Sequence, residues 1–466
     1  MKVYTITTSE DSITPKALDR LSLVPANSVL AVVRSGILSR TLPVSINTIP
    51  VTINQDMRAI SPRVGISAAF LAYQLIANER EILASCSKHG TTVASIEGPA
   101  LARFPIWIAP TAEQTRIVAK LEELLSDLDA GVAELKAAQR KLQQYRQSLL
   151  KAAVEGTLTA AWRKQNPPQE SGAELLARIL VERRARWEAK QLARFAEQGK
   201  APPKGWCEKY KTPLGPQGAD LTKLPVGWSW AALSQLLEGL TSGSRDWAPY
   251  YDRGTCTFVM AQNVRPWRPD FSFRQMVDPP ANDRDRARSQ VRLNDLLVTI
   301  VGANTGQACR LDQSLESHFV CQSVALLRLL DPSMSDYINA VLNSEGHGQR
   351  QFREMNYGAG RPHLSFDQIE SVCIPLPPLQ EQHVITRQIE IAFDSLQLVQ
   401  VELDRLQEQS TVQRQNILRA AFAGQLVPQD PDDEPASVLL ARIRAEHAQG
   451  PAKARKPRRH SAQELA

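Results

Sequence analysis

The chain of 466 residues has no GxxxxGK[ST] phosphate loop, so ATP hydrolysis is not expected of it. Gly302-Ala303-Asn304-Thr305-Gly306 lacks the lysine such a loop needs and reads as a turn. The seven histidines (His89, His318, His347, His363, His383, His447, His460) show no HExxH or other ligand spacing. The six cysteines, Cys86, Cys207, Cys256, Cys309, Cys321 and Cys373, contain no CxxC pair, which argues against a zinc site and a disulfide framework and for reduced thiols in a cytoplasmic protein. Met1-Lys2-Val3-Tyr4-Thr5-Ile6 lacks the apolar core of a signal peptide, and no apolar run approaches the roughly 18 residues of a membrane span. Asn166-Pro167-Pro168-Gln169 has glutamine where a base-flipping loop needs a stacking aromatic. Pro269-Asp270 is not followed by the acid-x-Lys pair of a nuclease. No catalytic residue, metal or cofactor is therefore expected in this chain.

What the chain does contain is a repeat. Glu113 to Gly156 recurs as Glu381 to Gly424, 268 positions later and without a gap. Glu113-Gln114 matches Glu381-Gln382, Ser148-Leu149-Leu150-Lys151 matches Asn416-Ile417-Leu418-Arg419, and Gly156 matches Gly424. Both copies carry a heptad, the apolar period of a coiled coil. The first seam runs Leu121, Leu128, Leu135, Leu142 and Leu149, with Ile117 and Leu124 on its second position. The other copy runs Ile389, Leu396 and Leu403, with Leu406 on its second position. The seam is imperfect at Gly131, Ser410 and Gln413. Each helix spans roughly 57 Å at 1.5 Å per residue, and its cheapest partner is its own copy.

The globular stretches repeat as well. Val29-Leu30 aligns with Leu296-Leu297, Gln55 with Gln322, Phe70-Leu71 with Tyr337-Ile338, Gly90 with Gly358 and Ile96 with Leu364. Strands are expected at Val29–Val33, Met57–Ile60, Thr257–Val264, Leu296–Val301 and Val320–Leu330, and helices at Ala68–Ile82, from Glu174 to about Phe195 and from Asp336. Gly90-Thr91-Thr92 reads as a turn. The resulting order is globule 1–111, helical region 112–195, Pro-rich linker 196–224, globule 225–379, helical region 380–446 and a solvated, disordered basic tail 447–466. That tail holds Lys453, Arg455, Lys456, Arg458 and Arg459 and supplies much of the net charge of +6.

Four motifs then acquire a meaning together: Leu224-Pro225-Val226-Gly227-Trp228-Ser229-Trp230, Met260-Ala261-Gln262-Asn263-Val264, Gly360-Arg361-Pro362-His363-Leu364, and Ile374-Pro375-Leu376-Pro377-Pro378-Leu379-Gln380-Glu381-Gln382. They resemble the DNA-specificity subunits of type I restriction-modification enzymes, over nearly the whole chain except residues 196–223 and the tail. The resemblance implies an α+β fold: two α/β target-recognition domains separated by two long, antiparallel coiled-coil helices, a tandem duplication with a pseudo-two-fold axis. It implies a cytoplasmic, non-catalytic subunit that reads a bipartite, gapped sequence in double-stranded DNA. Its helices would set a spacing of about one to two duplex turns, at roughly 34–36 Å a turn. They would also dock two methyltransferase subunits, which a nuclease and motor subunit joins. The alternative is a degenerate scaffold that binds the methyltransferase without full DNA recognition.

Lysine is absent from Trp228 to Val372, where every basic position is one of fourteen arginines. Arginine bridges guanine edges or phosphates in bidentate fashion. The candidates for DNA contact are Arg245, Arg265, Arg268, Arg284, Arg286, Arg288, Arg353 and Arg361, against interleaved Asp283, Asp285 and Asp295. Arg361 either contacts phosphate or caps local structure. Outward helix residues such as Arg116, Lys120, Arg140, Lys141, Arg387, Arg405 and Arg414 either meet DNA or a partner or are solvated. The first globule has no counterpart of Gly227–Trp267, because residue 1 aligns near residue 268. Either the true start lies upstream or this domain is truncated, and a true truncation is expected to impair reading of one half-site.

Overall fold

The computed structural model of the chain describes residues 4–19, 21–88, 94–217, 222–312, 318–356, 360 and 362–449. His89, the expected turn at Gly90-Thr91-Thr92, Gly358, Arg361 and the basic tail from Pro451 lie outside the described residues. The chain divides into two compact units, Met1–Ala138 with Glu402–Ala466 (unit 1) and Gln139–Val401 (unit 2).

In unit 1 the short apolar runs form strands β1 (Tyr4–Ile6), β2 (Val29–Val32), β3 (Val44–Asn47) and β4 (Met57–Ile60). The sheet order is β1-β3-β2-β4, with β1 parallel to β3 and the other pairs antiparallel. Helix α1 (Ala68–Ala77) starts at the Ser67 cap and is followed by α2 (Glu79–Cys86), the small ladder β5 (Ser87–Lys88) with β6 (Ser95–Ile96), α3 (Gly98–Arg103) and the long α4 (Thr111–Val154). The single helix expected over Ala68–Ile82 is broken at Asn78, whose side-chain amide donates to the Gln74 carbonyl at 2.9 Å and ends α1. One face of α1 seals the sheet through Leu71 and Leu75, together with Val29, Val44, Ile82 and Cys86. Its other face, Phe70 and Tyr73, packs on Ile117, Leu121 and Leu125 of α4.

Unit 2 holds α5 (Ala160–Gln165), α6 (Gly172–Glu197), β7 (Ser229–Ala232), α7 (Leu233–Leu236), β8 (Leu237–Ser242), β9 (Tyr251–Val259), β10 (Gln275–Val277), α8 (Arg286–Ser289), β11 (Gln290–Val291), β12 (Leu296–Thr299) and β13 (Ala308–Arg310). β14 (His318–Val320), β15 (Val324–Leu329), α9 (Ser335–Asn343), α10 (Gly348–Asn356), α11 (Phe366–Glu370) and β16 (Cys373–Leu376) complete it up to the long α12 (Leu379–Phe422). Its sheets run β13-β12-β15-β8, β10-β9-β14-β11 and β16-β7. One core joins α9 and the inner strands to the end of α4 and the start of α12 through Leu150, Val154, Tyr337, Ile385 and Ile389. A second core gathers Trp247, Phe258, Val259, Leu297 and Phe319. Cys309 lies in it, and burial pushes its thiol up to about 12.

Two expected elements of unit 2 differ. Met260–Val264 is a turn, because buried Asn263 accepts from the Met260 N–H and donates to the carbonyls of Asp270 and Phe273. The expected strand Val320–Leu330 divides at Cys321–Ser323 into β14 and β15. The stretch expected as linker packs back on α6: Trp206 stacks on Trp187 at 5.9 Å and Tyr210 meets the same ring edge-on.

Helices α4 and α12 both have 44 residues, and both stop at a glycine in the left-handed region, Gly156 at φ 73° and Gly424 at φ 71°. A helix, α13 (Ala436–Gln449), follows in unit 1. The two long helices run antiparallel in unit 1, where Leu124 to Ala138 line a groove with Ile417 back to Arg405. The heptad seam is not uniformly buried. Leu121 and Ile389 are fully buried, whereas Leu128, Leu135, Leu142, Leu396, Leu403 and Leu406 are half-buried. The buried ends pack into globular cores, and the seam's three imperfections, Gly131, Ser410 and Gln413, all line the groove. No helix among the described residues is long and apolar enough to cross a membrane.

Candidate nucleic-acid interface

Unit 2 is locked to α12 through one buried carboxylate. Glu381 accepts from the Thr159 hydroxyl at 2.6 Å, from Arg163 Nε at 2.9 Å and from Trp228 Nε1 at 2.9 Å. The Arg163 guanidinium also lies 5.3 Å from the centre of the Trp228 ring. Trp228 of the first motif and Glu381 of the last are thus two halves of one latch. A buried charge with every oxygen engaged fixes geometry, and removing a partner strands it. Neighbouring Arg265-Pro266-Trp267-Arg268 belongs to the same anchorage. Trp267 has φ 80°, an unusual value for a tryptophan. Its backbone is held by Asn339 and Asn343 of α9, and its ring meets Phe393 of α12 at 4.8 Å.

Away from the latch, four separate stretches close around a polar cleft. β8 brings Ser242 and then Gly243, where a Cβ would fall 1.5 Å from the Val320 carbonyl oxygen, so only glycine lets the two backbones cross. Arg245 follows at once. The segment around α8 brings Arg284, Asp285 and Arg288, the turn before β15 brings Gln322, and the run before α11 brings His363. Arg288 donates to Asp285 at 2.9 Å and to the Ser242 carbonyl at 2.9 Å. The Arg288 hydrogen bond, assisted by its charge and by Ser244 and Arg284, holds the Asp285 carboxyl below the usual carboxylate range. Asp285 and Arg288 therefore form the cleft's frame. Arg284 is 93% exposed and Arg245 is exposed, tied only through Nε to Gln322 in the bonds described. Three aspartates, Asp246, Asp285 and Asp367, share the lining with the three arginines. The field is mixed, and the cleft's capacity lies in directed donors: two exposed guanidinium groups beside a side-chain amide.

Three of the eight sequence candidates, Arg245, Arg284 and Arg288, thus meet in one cleft. Arg286 does not: it donates to the Pro279 carbonyl and lies over the Phe319 ring at 5.3 Å, inside the fold. Arg268 sits near Asp312 and Asp394 at 3.5 and 3.9 Å, Arg353 is paired with Glu345, and Arg265 is half-buried beside Cys309. Arg361 is outside the described residues. Among the outward helix residues, Arg116, Lys120, Arg405 and Arg414 are paired with Asp433, Glu123, Glu402 and Asp129. Gln322 and His363 were not among the candidates. The signal for Gln322 was its match to Gln55, which is exposed at the corresponding turn before β4. No group of three or more His, Cys, Asp or Glu able to hold a metal occurs among the described residues.

Comparison with known proteins agrees with the duplicated layout. The family described as the type I restriction modification DNA specificity domain matches residues 1–137 and 304–408. The chain is similar to the type I restriction enzyme EcoR124I/EcoR124II specificity subunit of Escherichia coli, 35% identical over 150 residues, which are 31% of this chain and 37% of that protein. It is 22% identical over 403 residues to the EcoDI specificity subunit of Escherichia coli, covering 82% of this chain and 77% of that one. A solved chain from work on complex assembly and conformational transition of the type I R-M system superposes with a TM-score of 0.57 at 16% identity, over 87% of this chain and 83% of that one, and shares the fold. With two separated family matches covering over half its length, each leading into a 44-residue helix, this chain belongs to the type I restriction-modification specificity subunit family.

Proposed function

We propose that this chain reads a bipartite, gapped target in double-stranded DNA, one half per recognition domain, and docks methyltransferase subunits on its long helices. The recognition domains are taken as residues 1–111 and 225–379. The chain itself contributes no catalytic group and no cofactor; methylation and cleavage belong to the methyltransferase and the nuclease and motor subunits that join it. The observation that carries this reading is the cleft of unit 2, where exposed Arg245 and Arg284 stand beside Gln322. Arginine recognises guanine O6 and N7, and glutamine recognises adenine N6 and N7, each with two hydrogen bonds in the major groove. Arg288, neutralised by Asp285, sets the cleft's shape.

For docking, α12 carries Ile391, Leu398 and Val401 at 61, 74 and 57% exposure. The repeat places Glu123, Ala130 and Ala133 at the matching positions of α4. An apolar stripe on one helix only suits a protein partner and makes its two docking faces unequal.

A second reading rests on unit 1, which has no counterpart of β7, β8 or β9. On this reading the chain recognises one half-site and acts as a scaffold at the other. Co-expression with the neighbouring methyltransferase subunit, followed by mapping of methylated adenines on plasmid DNA, separates the two. A single asymmetric motif with two specified halves supports the first reading, and a half-motif supports the second. Absence of methylation in a stable complex would overturn DNA reading altogether.

A further inference from the structure

Three surfaces that are covered in unit 2 lie open in unit 1, and in unit 2 a single stretch of chain covers all three. The first is a sheet edge. β15 lies inside its sheet, paired with β8 from Ala325↔Ser242 to Leu329↔Leu237, whereas its match β4 is the last strand of β1-β3-β2-β4. The second is the run leading into the long helix. In unit 2 this run is β16, paired with β7, and Ile374 is fully buried. Its match Ile106 is 41% exposed, and Trp107 beside it is 72% exposed. Gln74 holds Trp107 by its backbone N–H and carbonyl, so the run is placed but uncovered. The third is an apolar groove lined by Ile6, Leu18, Leu23, Leu30, Val51 and Met57. Leu297, the match of Leu30, instead packs against Trp247, Phe258 and Val259. β7, β8, Trp247 and β9 all fall within Ser229–Val259.

We propose that unit 1 is an acceptor for strands donated by another polypeptide, which completes the domain in trans. The donor's chemistry follows from its template in unit 2. It is an unpaired segment with one strand to run antiparallel along β4, a second to lie against residues 105–108, and large apolar side chains on the face that enters the groove. Strand addition satisfies edge N–H and C=O groups, and alternate side chains give specificity. A second copy of this chain does not supply the segment. Its own Trp247, Phe258 and Val259 are core residues, so lending them would open unit 2. The inference comes from comparing the two units and is independent of DNA reading.

The test places a photo-crosslinking benzoylphenylalanine at position 107 of the full chain, expressed together with its neighbouring genes. Crosslinking is mapped by mass spectrometry, and amide hydrogen exchange at Met57–Ile60 is compared between the assembly and the chain alone. The expected result is a crosslink to one defined segment of a different polypeptide, with exchange at β4 slowed at least about tenfold, the usual mark of a newly paired strand. Trp107→Glu, at an exposed position, is expected to keep the chain's own unfolding midpoint and abolish that protection. Equal exchange in both samples would overturn the proposal, as would a crosslink to a second copy or to residues continuous with this same chain. Arg245→Ala with Arg284→Ala serves as the control: loss of DNA binding with protection intact sinks the DNA reading and leaves this one standing.

Discussion

Unit 2 and unit 1 share a repeat and differ in how it is closed. The shared part is the sheet trio β13-β12-β15 or β3-β2-β4, the helix α9 or α1 behind it, and the Glu-Gln start of a 44-residue helix. In unit 2, Ser229–Val259 then adds a strand to the trio, a strand to the lead-in and a second core. The same stretch brings Ser242 and Arg245 to the cleft. In unit 1 the register that pairs Val29 with Leu296 puts Ala17 and Leu21 where Arg284 and Arg288 stand, and only Gln55 persists, for Gln322. The covering layer and the polar cleft are therefore one module, separable from the sheet-and-helix body. The start of each long helix shows the same split. In unit 2 buried Glu381 receives Arg163, Thr159 and Trp228. In unit 1 the pairing is reversed: Arg116 of α4 donates to Asp433, and buried Gln114 ties down the Ser67 N–H and the carbonyls of Gly65 and Ala109.

Breaking the two latches gives the largest contrast. Glu381→Ala leaves Arg163 and the Trp228 N–H without their acceptor in a dry site, a change that costs about 3–5 kcal/mol. Guanidinium denaturation of the full chain, followed by the fluorescence of the tryptophans, seven of which lie in unit 2, reads this directly. Asp433→Ala removes a pair whose arginine is in water, where screening leaves little net stabilisation. Its unfolding curve is expected to overlay that of the parent. An equal loss from both substitutions would mean that the two latches are alike in energy despite their different burial.

The next contrast is between the ends of the long helices and their middles. Leu125 is fully buried against α1 and α12, and Leu125→Ala is expected to cost about 2–5 kcal/mol. Leu135 lines the open groove opposite Ser410 and Gln413, and Leu135→Ala is expected to cost about 1 kcal/mol, the scale of partial burial. Circular dichroism at 222 nm during urea titration measures both. A heptad viewed as sequence ranks the two leucines as equals. Their environments separate them.

That ranking shows what the sequence carried and what it did not. The helix bounds were legible because period, glycine stop and lead-in prolines are all local: the repeat ends at Gly156 and Gly424, where the φ values require glycine. The duplication of the sheet was legible in Val29-Leu30 and Leu296-Leu297. The turn at Met260–Val264 was not, because four apolar or neutral residues read as a strand while the buried side chain of Asn263 decides the backbone. Nor was the cleft. Its residues come from four distant stretches, and nothing local distinguishes exposed Arg284 from Arg286, two positions on, whose guanidinium covers Phe319.

Arginine substitutions in unit 2 test whether cleft and frame are distinct. Arg245→Ala and Arg284→Ala are each expected to weaken binding to the cognate duplex by about 1–3 kcal/mol, the worth of a good bidentate base contact, with thermal stability unchanged. Arg286→Ala is expected to do the opposite, lowering the melting temperature through its lost contacts to the Pro279 carbonyl and the Phe319 ring. Fluorescence anisotropy with labelled duplex at fixed salt, beside scanning calorimetry, gives both readouts. Salt must be held fixed because phosphate contacts alone make affinity steeply salt-dependent. Unit 1 lacks the matching arginines, so substitutions at Ala17 and Leu21 provide the blank.

The smallest expected effect is the acid titration of the frame. Asp285 has a carboxyl held below its ordinary range, chiefly by the hydrogen bond from Arg288. A carboxylate with a depressed folded pKa binds fewer protons folded than unfolded, so stability rises with pH across that interval. Its contribution is complete above the unfolded value of about 3.9 and disappears as pH falls through the lower folded value. Wild type and Asp285→Asn are therefore expected to differ by a constant amount from neutrality down to about pH 5 and to converge below about pH 4. Arg288 loses its charged acceptor in either case but keeps the carbonyls of Ser242 and Gly243. Convergence should therefore be gradual, a softening of the cleft and not its collapse. A difference that persisted unchanged to pH 2 would place the Asp285 effect in packing, and the frame would then rest on Arg288 and its backbone carbonyls alone.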